Sequence, residues 1–187
     1  MKRLNAQADI VRQGNQRMIM AEAYHNYQAF TDKLEVRIFE AGRSTRGEPL
    51  ATLPVSNGQA SMPVTPDMPL DMTYVLRAYG AKDQFDETAP KLLRLGDIEN
   101  DLTAEEWNRE AYTAFGQNTL IDSNITVRGG SVRVYGRNVP GNQVTVMGQL
   151  VRIDDSGRFV AEQLLPKGDQ QVEIWLPGVD NLSLIHI

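Results

Sequence analysis

The segment "VRIDDSGRFVAEQLLPKGDQQVEIW", residues 151–175, places an acidic turn between apolar runs. Asp154 and Ser156 are turn-forming residues because their side chains accept hydrogen bonds from nearby backbone, and Gly157 can adopt the left-handed conformation of a bulge. A calcium loop needs more oxygen ligands at regular spacing, whereas here the chain continues directly into "RFV". The pattern therefore predicts a hairpin turn between two strands and not a metal site.

Apolar and polar residues also alternate elsewhere in the chain, which is typical of half-buried strands. Clear examples are "KLEVRIFEA" (33–41), "TYVLRAYG" (73–80) and "SVRVYG" (131–136). Asn57-Gly58 lies between two apolar runs and predicts a type I′ turn with strands on both sides. Strands at this spacing predict an all-β fold made of two small Ig/fibronectin-like antiparallel β-sandwich modules.

One segment has a different period. "DIENDLTAEEWNREAYTAFGQ", residues 97–117, places Thr103 three residues before Glu106, which predicts a capping box and a short helix. Trp107 and Ala111 give this helix one narrow apolar face, which we expect to dock on a neighbouring sheet. The predicted organisation has five parts: an N-terminal segment (1–17), an Ig-like module (18–96), a helical linker (97–119), a second Ig-like module (120–178) and a non-native or disordered tail (179–187). The N-terminal segment is either the result of an internal cut or a preceding strand or linker.

The two ends of the chain look like cuts. "LSLIHI", residues 182–187, resembles a translated adapter of a sequencing library, and the alternative is a short apolar terminal strand. The start, "MKRLNAQADIVRQGNQ", lacks the unbroken apolar stretch of an export signal, and whether Met1 is the true start stays open. We expect the chain to be a fragment of a longer protein.

Composition narrows the function classes. The formal net charge is −5 and the basic residues are scattered, so no electrostatic footprint for nucleic acid or an anionic membrane is present. The chain contains no cysteine, which excludes disulfides and thiolate metal sites. No run approaches the roughly 20 apolar residues that a membrane helix needs.

Few residues are candidates for chemistry. His25 is the one credible imidazole outside the tail, and a lone histidine does not build a typical zinc site or triad, so we interpret it as a strand-end or turn residue. The glycine-rich stretch 127–141 lacks the Gly-Lys-Ser/Thr of a phosphate loop. We predict no catalytic, cofactor-binding or metal-binding residues.

Aromatic side chains are the candidates for ligand contact, because flat rings match the apolar faces of pyranoses. A sugar-stacking surface would need an exposed, coplanar row on one sheet. The candidate ligand contacts are Tyr24, Tyr27, Tyr135 and Trp175, and the full row would add Phe39 and Tyr79.

Two stretches resemble known modules. "VRVYGRNVPGNQVTVMGQLVRIDDSGRFVAEQLLPKGDQQVEI" (132–174) resembles bacterial Ig-like, glucodextranase-B-like modules, with their "V-x-V-x-G" strands, "D-x-x-G-x-F" hairpin and "L-P-x-G" turn. "YVLRAYGAKDQFDETAPKLL" (74–93) is similar to the preceding module of large OmpA-like cell-envelope proteins. The resemblance covers about residues 18–178, and its motifs specify strands and turns rather than an activity.

The resemblance implies a periplasmic or outer-membrane-associated protein whose modules act as spacers or docking surfaces. The chain departs from it by having neither a signal peptide nor an OmpA-type peptidoglycan-binding stretch. We expect a non-catalytic structural or adhesive segment, not an enzyme, whose partners are other modules of the same polypeptide and an envelope protein or glycan. The alternative is a carbohydrate-binding or accessory module of a polysaccharide-acting enzyme, with the catalytic domain outside this chain.

Overall fold

The computed structural model describes residues 1–137, 139, 141 and 143–176, together with the backbone of 183–186. Within them, 51% of residues lie in strands and 12% in helices, and the ladders are antiparallel. The all-β class expected from the alternating patterns is therefore confirmed. In the described part of the chain, no helix is both long and apolar enough to cross a bilayer.

The first part of the chain forms two antiparallel sheets. One has the order β1-β2-β5; the other has the order β4-β3-β6-β7-β9, and β8 pairs with the same edge of β6 as β7 does. Residues 1–17, set apart above as an N-terminal segment, contain β1 and the start of β2. The strands are β1 Leu4–Gln13, β2 Gln16–His25, β3 Lys33–Glu40, β4 Ala51–Pro54, β5 Gln59–Pro63, β6 Asp71–Tyr79, β7 Phe85–Thr88, β8 Lys91–Arg94 and β9 Leu120–Ser123.

These two sheets enclose a hydrophobic cluster that we call the first core. Leu4, Ile10 and Ile19 of one sheet and Val36 and Leu76 of the other are fully or almost fully buried in it. Alternate residues face inward because side chains on a strand point to opposite faces in turn. The inward-facing apolar sets thus produce a sandwich-like pair of layers.

The Asn57-Gly58 turn has the backbone conformation that was predicted. Its φ angles are 52° and 78°, and Ser56 and Gln59 form a bridge across it. The strands on either side do not pair with each other, however: β4 pairs with β3, and β5 pairs with β2. The turn therefore carries the chain from one sheet to the other and does not close a long hairpin.

The predicted helix is confirmed as α1, Ala104–Ala114, with the Thr103–Glu106 capping box in place. Trp107 and Ala111 pack on Val11, which points away from the first core. The helix therefore covers the outer face of the β1-β2-β5 sheet. Beyond it, β9 pairs with β7, and Ile125 packs in the first core, so residues up to about 127 contact this core.

The second part of the chain has its own hydrophobic cluster, the second core, around Val134, Val144, Phe159 and Leu165. Two sheets surround it, a β10-β13 pair and a sheet of order β12-β11-β14-β15. The strands are β10 Gly129–Gly136, β11 Gln143–Val146, β12 Gln149–Arg152, β13 Phe159–Pro166, β14 Gln171–Trp175 and β15 Ser183–His186.

The predicted tail, residues 179–187, falls partly outside the described residues, which do not include 177–182 or 187. The backbone of Ser183–His186 pairs antiparallel with β14.

Candidate functional site

The Asp154–Gly157 segment is a turn whose carboxylate is used by the turn itself. The Asp154 carboxylate accepts hydrogen bonds from the Ser156 hydroxyl (2.6 Å), the Ser156 N–H (2.9 Å) and the Arg158 N–H (2.9 Å). These hydrogen bonds lower the pKa of Asp154 to about 2, and the bond from the Ser156 hydroxyl contributes most. Gly157 has a φ of 72°, as expected for the left-handed position.

The turn interpretation is therefore confirmed, with one correction to the pairing. Asp154 N–H donates to Arg158 O (2.8 Å), but β12 pairs with β11 and β13 pairs with β10. The turn thus connects two sheets and does not close a hairpin of paired strands. Among the described residues, no group of three His, Asp or Glu side chains is placed to hold a metal ion.

The candidate aromatic residues do not form one exposed row. Tyr24 is buried and packs edge-on against Phe115, with ring centroids 4.8 Å apart, and Tyr27 is completely buried in the first core. Tyr135 on β10 is 70% exposed and Trp175 on β14 is 48% exposed. Burial closes Tyr24 and Tyr27 to a ligand, and the two accessible rings lie on different sheets.

The other two members of the predicted row are no better placed. Phe39 is buried in β3, and Tyr79 at the end of β6 is half-buried. Lys33 Nζ lies 4.4 Å from the centroid of the Tyr79 ring and covers that ring with its charge.

His25 ends β2 and is buried between the two cores, so its interpretation as a strand-end residue is confirmed. Its Nδ1 lies 2.8 Å from Gln149 Oε1. Gln149 Nε2 donates to Ala23 O (2.8 Å), and this bond turns the amide oxygen toward the ring, so Nδ1 carries the proton. Burial lowers the pKa of His25 to about 4, and the ring is neutral near pH 7.

A buried ion pair lies close to this histidine. Arg152 Nε donates to Glu22 Oε1 (3.0 Å), and Arg152 Nη2 contacts the other carboxylate oxygen. Both side chains are more than nine-tenths buried. Burial raises the pKa of Glu22, whereas the Arg152 guanidinium opposes that rise. The sequence contains no local signal for this pair because its members are 130 residues apart.

Two tight turns meet at the same place. Met147-Gly148, with φ angles of 51° and 74°, faces Asn57-Gly58 across the junction of the two cores. A Cβ atom added to Gly58 would lie 3.1 Å from both Gln149 Nε2 and Leu150 Cβ, and one added to Gly148 would lie 3.0 Å from Gln28 Nε2. Gly58 is therefore favoured both by its positive φ and by close packing, whereas Gly148 is favoured by its positive φ.

The meeting turns leave two adjoining clefts. The first, of about 290 Å³, is lined mainly by polar groups, and the second, of about 330 Å³, contains Trp175. Asn57 and Gly148 line both clefts, so the two clefts lie side by side, and together they are called here the junction groove. Its polar lining residues are His25, Gln28, Thr31, Asp32, Lys33, Ser56, Asn57, Thr145, Gln149 and Glu173.

A third cleft, of about 410 Å³, lies between α1 and the Asp154–Gly157 turn. Tyr112, Phe115 and Val160 give it apolar walls, and Arg158 lies at its edge. Arg158 Nε contacts the Asp154 carboxylate at 3.3 Å, so its charge is already partnered.

Comparisons with protein-family models, curated proteins and solved structures give no match. Function is therefore inferred from the geometry of the chain's own residues.

Other buried charges contribute to the fold. Asp86 is fully buried and accepts hydrogen bonds from Lys2 Nζ (2.7 Å), Asn124 N–H (2.6 Å) and Ile125 N–H (2.8 Å). Burial, with the Asp86 charge nearby, raises the pKa of the Tyr27 hydroxyl. This cluster ties the N-terminus to the segment that follows β9. Sequence reasoning missed it because its members come from distant parts of the chain.

Proposed function

We propose that this chain is a non-catalytic structural segment in which two Ig-like β-sandwich modules are held in one fixed orientation. The first module is built on the first core and the second on the second core. The observation that carries the proposal is the polar contact set between them, centred on the Glu22–Arg152 ion pair and the His25–Gln149 hydrogen bond. A segment of this kind would act as a rigid spacer or docking surface.

The directional character of these contacts supports the proposal. An apolar contact tolerates sliding, whereas a two-point carboxylate–guanidinium pair and an oriented amide accept only a narrow range of geometries. Leu164 N–H also donates to Asn26 O (2.6 Å), which joins the backbones of the two parts directly. Removing one partner of a buried ion pair typically costs about 3–5 kcal/mol.

Residual dipolar couplings test this rigidity, because they report the orientation of each module relative to a common alignment frame. We expect one alignment tensor to fit the amides of both modules. In Arg152→Ala, we expect the two modules to require different tensors while each keeps its own fold. Two independent tensors in the unsubstituted chain would refute the fixed orientation.

The resemblance described above supports a further part of the proposal, that the segment belongs to a larger bacterial cell-envelope protein in the periplasm or at the outer membrane. Fractionation of source cells, followed by immunoblotting for this chain, tests it. We expect the signal in the envelope or periplasmic fraction, and a signal confined to the cytosol would contradict the proposal.

The alternative function, a carbohydrate-binding or accessory module of a polysaccharide-acting enzyme, was based on an aromatic row. The burial of Tyr24 and Tyr27 removes two of its four candidate contacts. A carbohydrate site would therefore need a different construction.

A further inference from the structure

The junction groove combines features that suit a small polar ligand. Each of its two clefts is close to the lower end of the roughly 300–1,000 Å³ typical of ligand pockets. Two tight turns and the His25–Gln149 hydrogen bond hold its walls in place. A site with fixed walls loses little conformational entropy when it binds a ligand.

The polar groups of the groove are mostly uncharged. Amides and hydroxyls of Gln28, Thr31, Ser56 and Asn57 line the first cleft, and such groups both donate and accept hydrogen bonds. The Oε1 atom of Gln28 is buried and has no hydrogen-bond partner in the described part of the chain. An unsatisfied buried acceptor is costly. The atom is shielded from solvent, so a ligand hydroxyl would satisfy it only after the Gln28 side chain turns toward the cleft.

The charged residues at the groove do not favour an anionic ligand. Lys33 Nζ is bound to Glu35 Oε1 (2.9 Å) and lies over the Tyr79 ring, so its charge is already partnered. Asp32 and Glu173 make the remaining charge of the lining negative, which disfavours anions such as phosphate. A neutral ligand rich in hydroxyl groups is compatible with this lining, because amides and hydroxyls form most of its polar groups.

Trp175 supplies the apolar surface of the second cleft. Trp175 is 48% exposed, whereas Trp107, the other tryptophan, belongs to α1 and is buried against Val11 of β1. Thr145 lies opposite Trp175 across the strand pair, and Glu173 is two residues away on the same strand. An indole face beside hydrogen-bonding side chains matches a pyranose, which has an apolar face and a rim of hydroxyls.

We propose that the junction groove binds a neutral oligosaccharide of two or three pyranose rings, with one ring stacked on Trp175 and the next hydrogen-bonded in the cleft at Gln28. The site differs from the predicted aromatic row, since it uses only one of its members. It rests on the fixed orientation of the two modules proposed above, because residues of both modules form its walls.

Tryptophan fluorescence of the full chain provides a direct binding assay. Cellotriose, maltotriose and tri-N-acetylchitotriose are titrated separately to about 10 mM, and Trp175 reports binding because Trp107 is shielded. We expect a saturable change with at least one of the three trisaccharides. No saturable response to any of them would overturn the proposal.

Calorimetry with the responding trisaccharide then locates the site. We expect Trp175→Ala to weaken binding at least tenfold and Gln28→Ala to weaken it several-fold, with thermal midpoints confirming that both variants fold. Tyr135→Ala is the matched control, since it removes an exposed aromatic ring from a different sheet and should leave affinity unchanged. Unchanged affinity in Trp175→Ala, or an equal loss in Tyr135→Ala, would refute this location.

The dipolar-coupling measurement separates this proposal from the structural one. A single alignment tensor without sugar binding refutes only the oligosaccharide site. Two independent tensors refute the fixed orientation, whatever the sugar titrations give.

Discussion

Acidification should destabilise the protein through His25, because burial lowers the pKa of this residue from its ordinary value of 6.5 to about 4 in the folded state. The unfolded chain therefore takes up a proton first as the pH falls. The contribution of His25 is fully present above pH 6.5 and is lost as the pH falls through about 4. A shift of this size, at about 1.4 kcal/mol per pH unit, is worth about 3 kcal/mol in total, of which about 2 kcal/mol is lost by pH 5.

The experiment compares free energies of unfolding in urea for the unsubstituted chain and His25→Gln at pH 7.5, 6 and 5. The difference between the two proteins isolates His25, since every other titratable group is present in both. Glu22 has the opposite sign, because burial raises its folded pKa and its protonation favours the folded state. We expect the unsubstituted chain to lose about 2 kcal/mol more than the variant between pH 7.5 and pH 5.

Nuclear magnetic resonance checks the cause. The ring protons of His25 should titrate well below pH 6 in the folded protein. A folded-state pKa at or above the ordinary value, or identical pH dependence in the two proteins, would refute the assignment of a buried neutral imidazole at the junction.

Three further predictions use matched variants. In urea denaturation, Gly58→Ala should destabilise the chain more than Gly42→Ala. Both positions have positive φ, but only at Gly58 would the new Cβ atom approach packed atoms. The Gly42 substitution should therefore cost only the free energy of placing alanine in the left-handed conformation, about 1–2 kcal/mol. Arg152→Met should lower the free energy of unfolding by about 3–5 kcal/mol because it leaves Glu22 buried without a partner. Adding Glu22→Leu should recover most of that loss. If nothing is recovered, the attraction between the two charges itself stabilises the fold. Calcium should leave the thermal midpoint unchanged because the Asp154 carboxylate is already hydrogen-bonded by its own turn. A calcium-dependent rise in the midpoint that Asp154→Asn abolishes would show that this turn is a metal site.

The candidate site could be predicted from the sequence only in its separate parts. Asn57-Gly58 was identified as a tight turn, and Trp175 was among the candidate ligand contacts. The sequence did not indicate that this turn meets Met147-Gly148 or that His25 bonds to Gln149, since these pairs are far apart in the chain. Aromatic residue type alone did not distinguish the buried Tyr24 and Tyr27 from the exposed Trp175.

Features encoded within a few residues were determined by the sequence itself. The capping box at Thr103 and the left-handed Gly157 follow from side-chain and backbone chemistry within one turn, and the all-β class follows from alternation along each strand. Strand partners depend on which apolar faces can be buried together, which is a property of the whole chain. Only the tertiary structure therefore decided that β4 and β5 belong to different sheets and that Glu22 pairs with Arg152. A contact between residues far apart in the chain forms only where the packing of both cores brings them together.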